Sequence, residues 1–369
     1  MGVYKEIVRP FLDTRDSETW HIRAREALHL AEIAPFTLRL LELFSENHKR
    51  FADDRLKVVM GGIEFENPLV AGAGWDKAGR AVKGLHALGF AGVEVGSVLF
   101  LPQDGNPKPR QFMVTPGVAI NNLGFNTPIG GLEEVSKNLS RYKESGIPIG
   151  VNIGKNRIVG NEDAPDAYAF VANDLYDIAS YFVINVSSPN TLGLRSLQDK
   201  GPLTDIVQAV NSAMEVKGKR RPLFVKISPD LTNHAVNDVI RVVKDNNLTG
   251  IIATNTTTDF NIREKYGERW QNQPGGLSGD DSDFRKLATE KVAHIYKETG
   301  GRIEIIGVGG VHDRDTALEK IRAGAKVVQI VTAIRGEGPA VAGKINRGIA
   351  DFMDNTGIKS LDEIRGIAA

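Results

Sequence analysis

FVINVSSPNT, residues 182–191, holds the unit from which the fold is built: an apolar, β-branched run followed at once by a loop of amides and hydroxyls. Strands of a parallel sheet covered on both faces read as continuous apolar runs, not as alternation. Downstream lies an amphipathic stretch, 204–216, and then a second apolar run, 223–227. The same unit recurs in both directions. Candidate strands fall at 69–71, 92–95, 149–152, 182–186, 223–227, 250–254, 303–308 and 327–331. Helical stretches fall at 165–180, 204–216, 233–245, 283–299 and 313–323, with Pro165 suited to an opening helical position. Eight strands alternating with helices predict an α/β fold, a (β/α)8 TIM barrel over 58–369, with a doubly wound open sheet as its competitor. Two irregular stretches, 96–146 and 256–281, exceed ordinary connection lengths, and loops that long are usually functional.

Composition narrows the functions open to such a chain. Of 369 residues, 41% are hydrophobic and 25% charged, which suits a globular protein and excludes wholesale disorder. Lys plus Arg and Asp plus Glu both number 46, so no basic excess favours nucleic acid. There is no cysteine, which removes disulfides, thiolate catalysis and cysteine-ligated clusters together. The histidines form no H-E-x-x-H or similar cluster, so no metal site is expected. No targeting or membrane-spanning segment is visible: the longest apolar-looking stretch, 87–102, contains Glu94, Gly89, Gly92 and Gly96.

Residues 1–57 read differently from the rest. Asp16, Ser17 and Glu18 signal a helix start, followed by Trp20, Ala24, Ala27, Leu28 and Ala31 at helical spacing. Pro35 suits the first turn of a second helix carrying Phe36, Leu40, Leu41, Leu43 and Phe44. The result is an αα-hairpin extension with a wide apolar face, either a cap packed on the barrel or a surface that meets lipid or a hydrophobic substrate. Ten Lys/Arg balance ten Asp/Glu here, so no polybasic attraction to anionic lipid is available.

Ligands of such barrels bind where the strands end. The first candidate strand leads into Gly72-Ala73-Gly74-Trp75-Asp76-Lys77, the second into Gly96-Ser97, the third into Asn152-Ile153-Gly154-Lys155-Asn156. The fourth delivers Asn185, Ser187, Ser188, Asn190 and Thr191, the fifth Lys226, the sixth Thr254-Asn255-Thr256, the seventh Gly307-Val308-Gly309-Gly310, and the eighth Val331-Thr332. Glycines after the last two strands suit a phosphate cradle, while no G-x-G-x-x-G or P-loop is present. Lys226 ends an otherwise apolar strand, where an ammonium needs a negative partner such as an anionic ligand atom; a Schiff-base lysine is the rival. Asn121, Asn185, Asn190 and Asn255 suit a planar heterocycle with carbonyl and N–H edges. No G-x-S-x-G surrounds Ser188, which disfavours acyl transfer and leaves either a base in a dry site or a turn serine.

These motifs together resemble the second, membrane-associated class of dihydroorotate dehydrogenases over essentially the full chain. The resemblance is carried by Asn67-Pro68 through Lys77, Gly105-Asn106-Pro107-Lys108-Pro109-Arg110, Ile120-Asn121 with Gly124-Phe125-Asn126, the runs 150–156 and 185–191, and Val225-Lys226-Ile227 with Pro229-Asp230-Leu231. Thr254-Asn255-Thr256-Thr257, Gly275-Gly276-Leu277-Ser278-Gly279 and Gly307-Val308-Gly309-Gly310-Val311 complete it. It implies FMN-dependent oxidation of dihydroorotate to orotate in pyrimidine synthesis, with electrons passed to a quinone of the membrane pool. Ser188 would be the base that removes the C5 proton. Lys77, Asn121, Asn122, Leu123, Gly124, Phe125, Asn185, Asn190, Asn255 and Thr256 would surround the substrate, with Phe125 and Thr191 shielding the base. Gly72, Ala73, Gly74, Trp75, Asp76, Ser97, Asn152, Asn185, Lys226, Thr254, Gly279, Gly310, Val331 and Thr332 would surround the cofactor, Lys226 stabilising its reduced form and Gly279, Gly310 and Thr332 taking the phosphate. The lack of cysteine agrees, because the family's other class uses a cysteine base. The hairpin would be the quinone-tunnel module, with His21 where the family commonly has a histidine, in peripheral contact with a membrane (the cytoplasmic face of the inner membrane in a bacterium). Three positions depart from the family: Met113 stands where an Arg is usual, Val331 where a Tyr is usual, and Asn122 where an Arg is frequent. The competing functions are the same half-reaction with a non-quinone acceptor, a non-redox phosphate-binding barrel working through Lys226, and a non-catalytic flavin-binding or membrane-docking module.

Overall fold

The computed structural model describes residues 4–45, 53–128, 130–191 and 193–369. Eight parallel strands close into a barrel: β1 (Leu69–Ala71), β2 (Gly92–Val98), β3 (Ile149–Ile153), β4 (Tyr181–Asn185), β5 (Leu223–Ile227), β6 (Gly250–Ala253), β7 (Glu304–Val308) and β8 (Val327–Ile330). Val328 of β8 lies beside Leu69 of β1, which closes the ring and rules out the open sheet. Every strand residue is buried except Glu304 at the start of β7, and this double burial is why the strands read as unbroken apolar runs.

Seven strands begin and end within about a residue of the sequence expectation. The exception, β2, runs on to Val98: Gly96 pairs with Asn152 but Val98 with Ile153, so Ser97 is the extra residue of a bulge. Among the helices, Asn233–Asp245 matches its expected bounds, with Thr232 capping the Ala235 N–H at 3.2 Å. The helix expected over 165–180 is Ala164–Asp174, with Pro165 in its first turn.

The two long irregular stretches are not structureless. They contribute Gln111–Thr115, Val118–Asn121 and Gly276–Gly279 to one antiparallel three-stranded sheet, with Asn121 opposite both Gln111 and Gly276. Val118, Ile120, Leu277 and Phe284 form its own small core. A further hairpin, Val58–Met60 with Ile63–Phe65, precedes β1.

At the N-terminal side, Tyr4–Val8 and Arg9–Asp13 lead into α1 (Ser17–Ala31) and α2 (Pro35–Phe44); residues 1–3 and 46–52 of the expected hairpin module lie outside the described residues. Asp16 caps α1 by accepting the Thr19 N–H at 2.7 Å, and Pro35 opens α2, as the sequence suggests. Polar contacts dock α1 on the barrel: the Arg110 guanidinium grips both Glu18 oxygens, Glu32 accepts the Gly84 N–H at 2.8 Å, and His29 meets the Arg80 carbonyl at 2.8 Å. The segment before α1 is latched to the turn after β8. Tyr4 Oη donates to the Arg335 carbonyl (2.5 Å), Arg9 to the Gly336 carbonyl (3.0 Å), and Lys5 pairs with Glu337 (2.5 Å). By contrast, α2 has no buried residue. Of the sixteen large hydrophobic side chains left exposed among the described residues, ten precede residue 45, including Phe36, Leu40, Leu43 and Phe44. No helix among the described residues is long and apolar enough to cross a membrane.

Candidate active site

The C-terminal strand ends converge on two adjoining cavities. The larger, about 420 Å³, runs from Trp20, His21, Ala24 and Ala27 on α1 past Trp75 and Val331 to Lys226, Thr254, Gly279, Gly310 and Thr332. That volume lies within the range of small-molecule and cofactor sites. The smaller, about 90 Å³, is polar and holds Lys77, Asn121, Phe125, Ser188, Asn190 and Thr256. Ala73, Gly74, Asn121, Leu123, Lys226, Asn255 and Thr256 line both, so a ligand in one touches a ligand in the other.

Ser97, Gly124 and Asn185 also line the smaller cavity. Gly72, Asp76, Asn122, Asn152 and Thr191 line neither. Asp76 is fully buried and accepts the Ala81 N–H at 2.8 Å, which shapes the loop behind the site. Asn122 is held by Asn106, whose Nδ2 donates to both its oxygens at 3.0 Å. Asn152 lies beneath the rim, fully buried.

The end of β4 supplies the centre of the smaller cavity. Ser188 is almost wholly buried, and its Oγ accepts the Asn190 N–H at 3.3 Å. Asn190 donates to the Asn121 carbonyl at 3.0 Å, tying the β4 loop to the three-stranded sheet, and its own Oδ1 is buried without a partner. Lys77 donates to the Gly124 carbonyl at 3.3 Å and to Asn126 Oδ1. Burial, with Arg110 also opposing a second positive charge and Glu18 offsetting it, pulls the Lys77 ammonium down to about 7. Burial likewise lowers Lys226, which Glu94, 3.9 Å away, partly restores.

One end of the larger cavity is lined by glycines and hydroxyls, Ser278, Gly279, Gly309, Gly310 and Thr332. Gly310 adopts φ +76° and packs on the Arg285 side chain, where a Cβ would lie 2.4 Å from Arg285 Cβ. Thr332 opens a short helix, and its hydroxyl lies 3.0 Å from that of Ser278. At the other end, Gly74 adopts φ +103° with nothing within 4 Å of where a Cβ would stand. Its backbone is therefore open to a ligand lying flat against it. Gln329 Oε1 is buried in the wall of this cavity with no hydrogen-bond partner, an acceptor waiting for a donor. His21 Nε2 donates to the Trp75 carbonyl at 2.6 Å, and burial pulls its pKa down to about 4, so it is a neutral group at the cavity wall. Met113 and Val331 also line the cavity, which places two of the three family departures on its wall.

Glu94 and Gln329 were not singled out as site residues from sequence. A signal existed for Glu94: like Lys226, it is a charge in the middle of an apolar strand. No group of three His, Cys, Asp or Glu side chains able to hold a metal occurs among the described residues.

Residues 55–353 match a family model described as dihydroorotate dehydrogenase. A Natronomonas pharaonis protein named dihydroorotate dehydrogenase (quinone) is 39% identical over 370 residues, covering 100% of this chain and 99% of its own. A Christiangramia forsetii protein of the same name is 38% identical, covering 95% of this chain and 99% of its own. Among solved structures, ligand-free DHODH from Eimeria tenella superposes with a TM-score of 0.81 at 32% identity, over 90% of this chain and 99% of that one.

Proposed function

The chain belongs to the dihydroorotate dehydrogenase family, and from that premise we propose how its residues carry out the reaction. It oxidises dihydroorotate to orotate in pyrimidine biosynthesis and is a quinone-dependent flavoenzyme. The reading assigns FMN to the larger cavity and dihydroorotate to the smaller. FMN suits the donor set: Gly279, Gly310 and Thr332 at its phosphate, Gly74 open against a flat ring, the unpartnered Gln329 Oε1 beside it, and Lys226 as a cation where negative charge gathers. Bound there, FMN would supply a two-electron acceptor for the hydride from C6 of dihydroorotate, with quinone as the onward acceptor.

The chain's own groups do the rest. Ser188 Oγ takes the C5 proton and gives up its own hydroxyl proton toward solvent as C5 and C6 become doubly bonded. Asn121, Asn190, Asn255 and Thr256 hold the pyrimidine edges, and Lys77 faces the carboxylate. Burial of Ser188 and Phe125 keeps water from the base. The observation that carries this assignment is the shared wall: the polar pocket of Ser188 opens directly onto the cavity of Lys226, Gly310 and Thr332. Anaerobic mixing of the FMN-loaded protein with dihydroorotate tests it. Bleaching of the flavin absorbance, reversed on adding quinone, is the expected result; a flavin left oxidised excludes it.

We assign residues 1–57 to the quinone and membrane side and 58–369 to the barrel. Quinone would enter between α1 and the barrel, past Trp20, Ala24 and His21, and α2 would lie on a membrane surface with Phe36, Leu40, Leu43 and Phe44 in the lipid.

Lys77 sets a pH dependence. Only its charged form attracts a carboxylate, and free Lys77 loses its proton as pH rises through about 7. Orotate affinity should therefore weaken by roughly tenfold between pH 7 and pH 8.5. Calorimetric titration of orotate across that range checks it, and a flat profile would remove Lys77 from carboxylate binding.

A further inference from the structure

Below the rim lies a carboxylate that the reaction leaves unused. Glu94, in the middle of β2, is completely buried inside the barrel. Its Oε1 accepts from Asn152 Nδ2 at 2.8 Å, and its Oε2 from Gln329 Nε2 at 2.5 Å, with Tyr181 Oη donating to the same oxygen at 3.5 Å. Lys226 Nζ stands 3.9 Å from Oε1. Burial, and then the charge of Glu94, holds the Tyr181 phenol well above its ordinary pKa, as a donor.

A carboxylate flanked by donors only accepts, whereas an amide has one accepting and one donating end. Asn152 must turn its Nδ2 down to Glu94, so its Oδ1 points up, where it accepts from Ser97 Oγ and from Asn185 Nδ2 at 2.9 Å. Asn185 then offers its Oδ1 to Ser187, whose Oγ donates at 3.0 Å. Ser187 Oγ accepts in turn from Asn255 Nδ2 at 3.0 Å, and Asn255 Oδ1 takes the Thr256 N–H at 2.8 Å. On the opposite side, Gln329 has turned its Nε2 to Glu94, which leaves its Oε1 in the cavity wall.

We infer that Glu94 is a positioning residue that fixes the donor–acceptor polarity of the rim, deciding from below which end each amide shows to cofactor and substrate. The inference rests on FMN and dihydroorotate occupying the two cavities. Hydrogen bonds in a buried chain reinforce one another, so reversing the first link propagates along it. A glutamine at 94 fits the same space but can accept fully from only one of its two amide neighbours; the other must reverse, which turns either the Asn152 chain or Gln329 the wrong way round.

The test uses Glu94→Gln and the double variant Glu94→Gln/Asn152→Asp. In the double variant, residue 94 donates to the carboxylate at 152 and still accepts from Gln329, while the new carboxylate accepts from Ser97 and Asn185. Net charge, one unit more positive in the single variant, returns to that of the parent in the double, and so does the polarity downstream. FMN affinity of the apoprotein is read by flavin fluorescence, and orotate affinity of the FMN-loaded protein by calorimetry. The single variant is expected to lose about tenfold or more in at least one, the scale of a buried polar group set against its partner. The double variant is expected to recover to within about threefold of the parent. Parent-like affinities in the single variant, or no recovery in the double, would overturn the inference. Should the single variant not fold, the double decides: folding with both ligands bound supports the inference, and failure assigns Glu94 to core packing alone. The parent distinguishes the two levels, since a parent that binds neither FMN nor orotate refutes the underlying functional assignment instead.

Discussion

Ser188→Ala is expected to slow flavin bleaching by dihydroorotate by about 10²-fold or more, the ordinary scale for losing a general base. The side chain is small, and its Oγ accepts a single backbone N–H, from Asn190. Its removal leaves the surrounding amides in place, so orotate affinity and FMN content should stay near those of the parent. That split, a slower chemical step with unchanged binding, separates a base from a turn serine. Stopped-flow absorbance under anaerobic conditions measures it. Near-parental bleaching would return Ser188 to a structural role and require another proton acceptor in the pocket.

The second large effect is expected at the membrane side. Phe36 and Phe44 are 66% and 77% exposed on a helix with no buried residue, so replacing both with glutamate disturbs little inside the protein. If α2 lies in the lipid interface, each phenyl group leaving an apolar environment costs about 1.5–3 kcal/mol, and the two together lower vesicle affinity by more than about tenfold. Vesicle co-sedimentation reads the loss, while flavin bleaching by dihydroorotate should be unaltered. Vesicle binding equal to the parent's would mean that these side chains meet something other than lipid.

How much of this was legible in the sequence differs from element to element. The barrel strands were, because burial on both faces writes an apolar run that no solvent-facing strand would carry. The residues directly after each strand were legible for the same reason, since topology sends every strand end to one rim. The three-stranded sheet was not: 96–146 and 256–281 are far apart in sequence, their strands are short, and Gly276–Gly279 has almost no apolar pattern of its own. Nor does position after a strand distinguish a lining residue from a supporting one. Asp76 and Ser97 both follow strand positions rich in small residues, yet Asp76 turns back to the Ala81 N–H while a bulge aims Ser97 into the cavity. Hydrogen-bond chains such as that from Glu94 to Asn255 join residues of four strands and leave no local mark at all.

The latch between residues 4–9 and the turn 335–337 has a thermodynamic consequence. The backbone that receives Tyr4 and Arg9 begins only three residues after Thr332, at the end of the large cavity to which we assign the phosphate. Two events that order one short stretch of polypeptide share its entropic penalty, so each makes the other easier by an equal factor. Under that assignment, loading the prosthetic group and seating the leading segment would be reciprocal, and a fusion partner joined ahead of Tyr4 would weaken both.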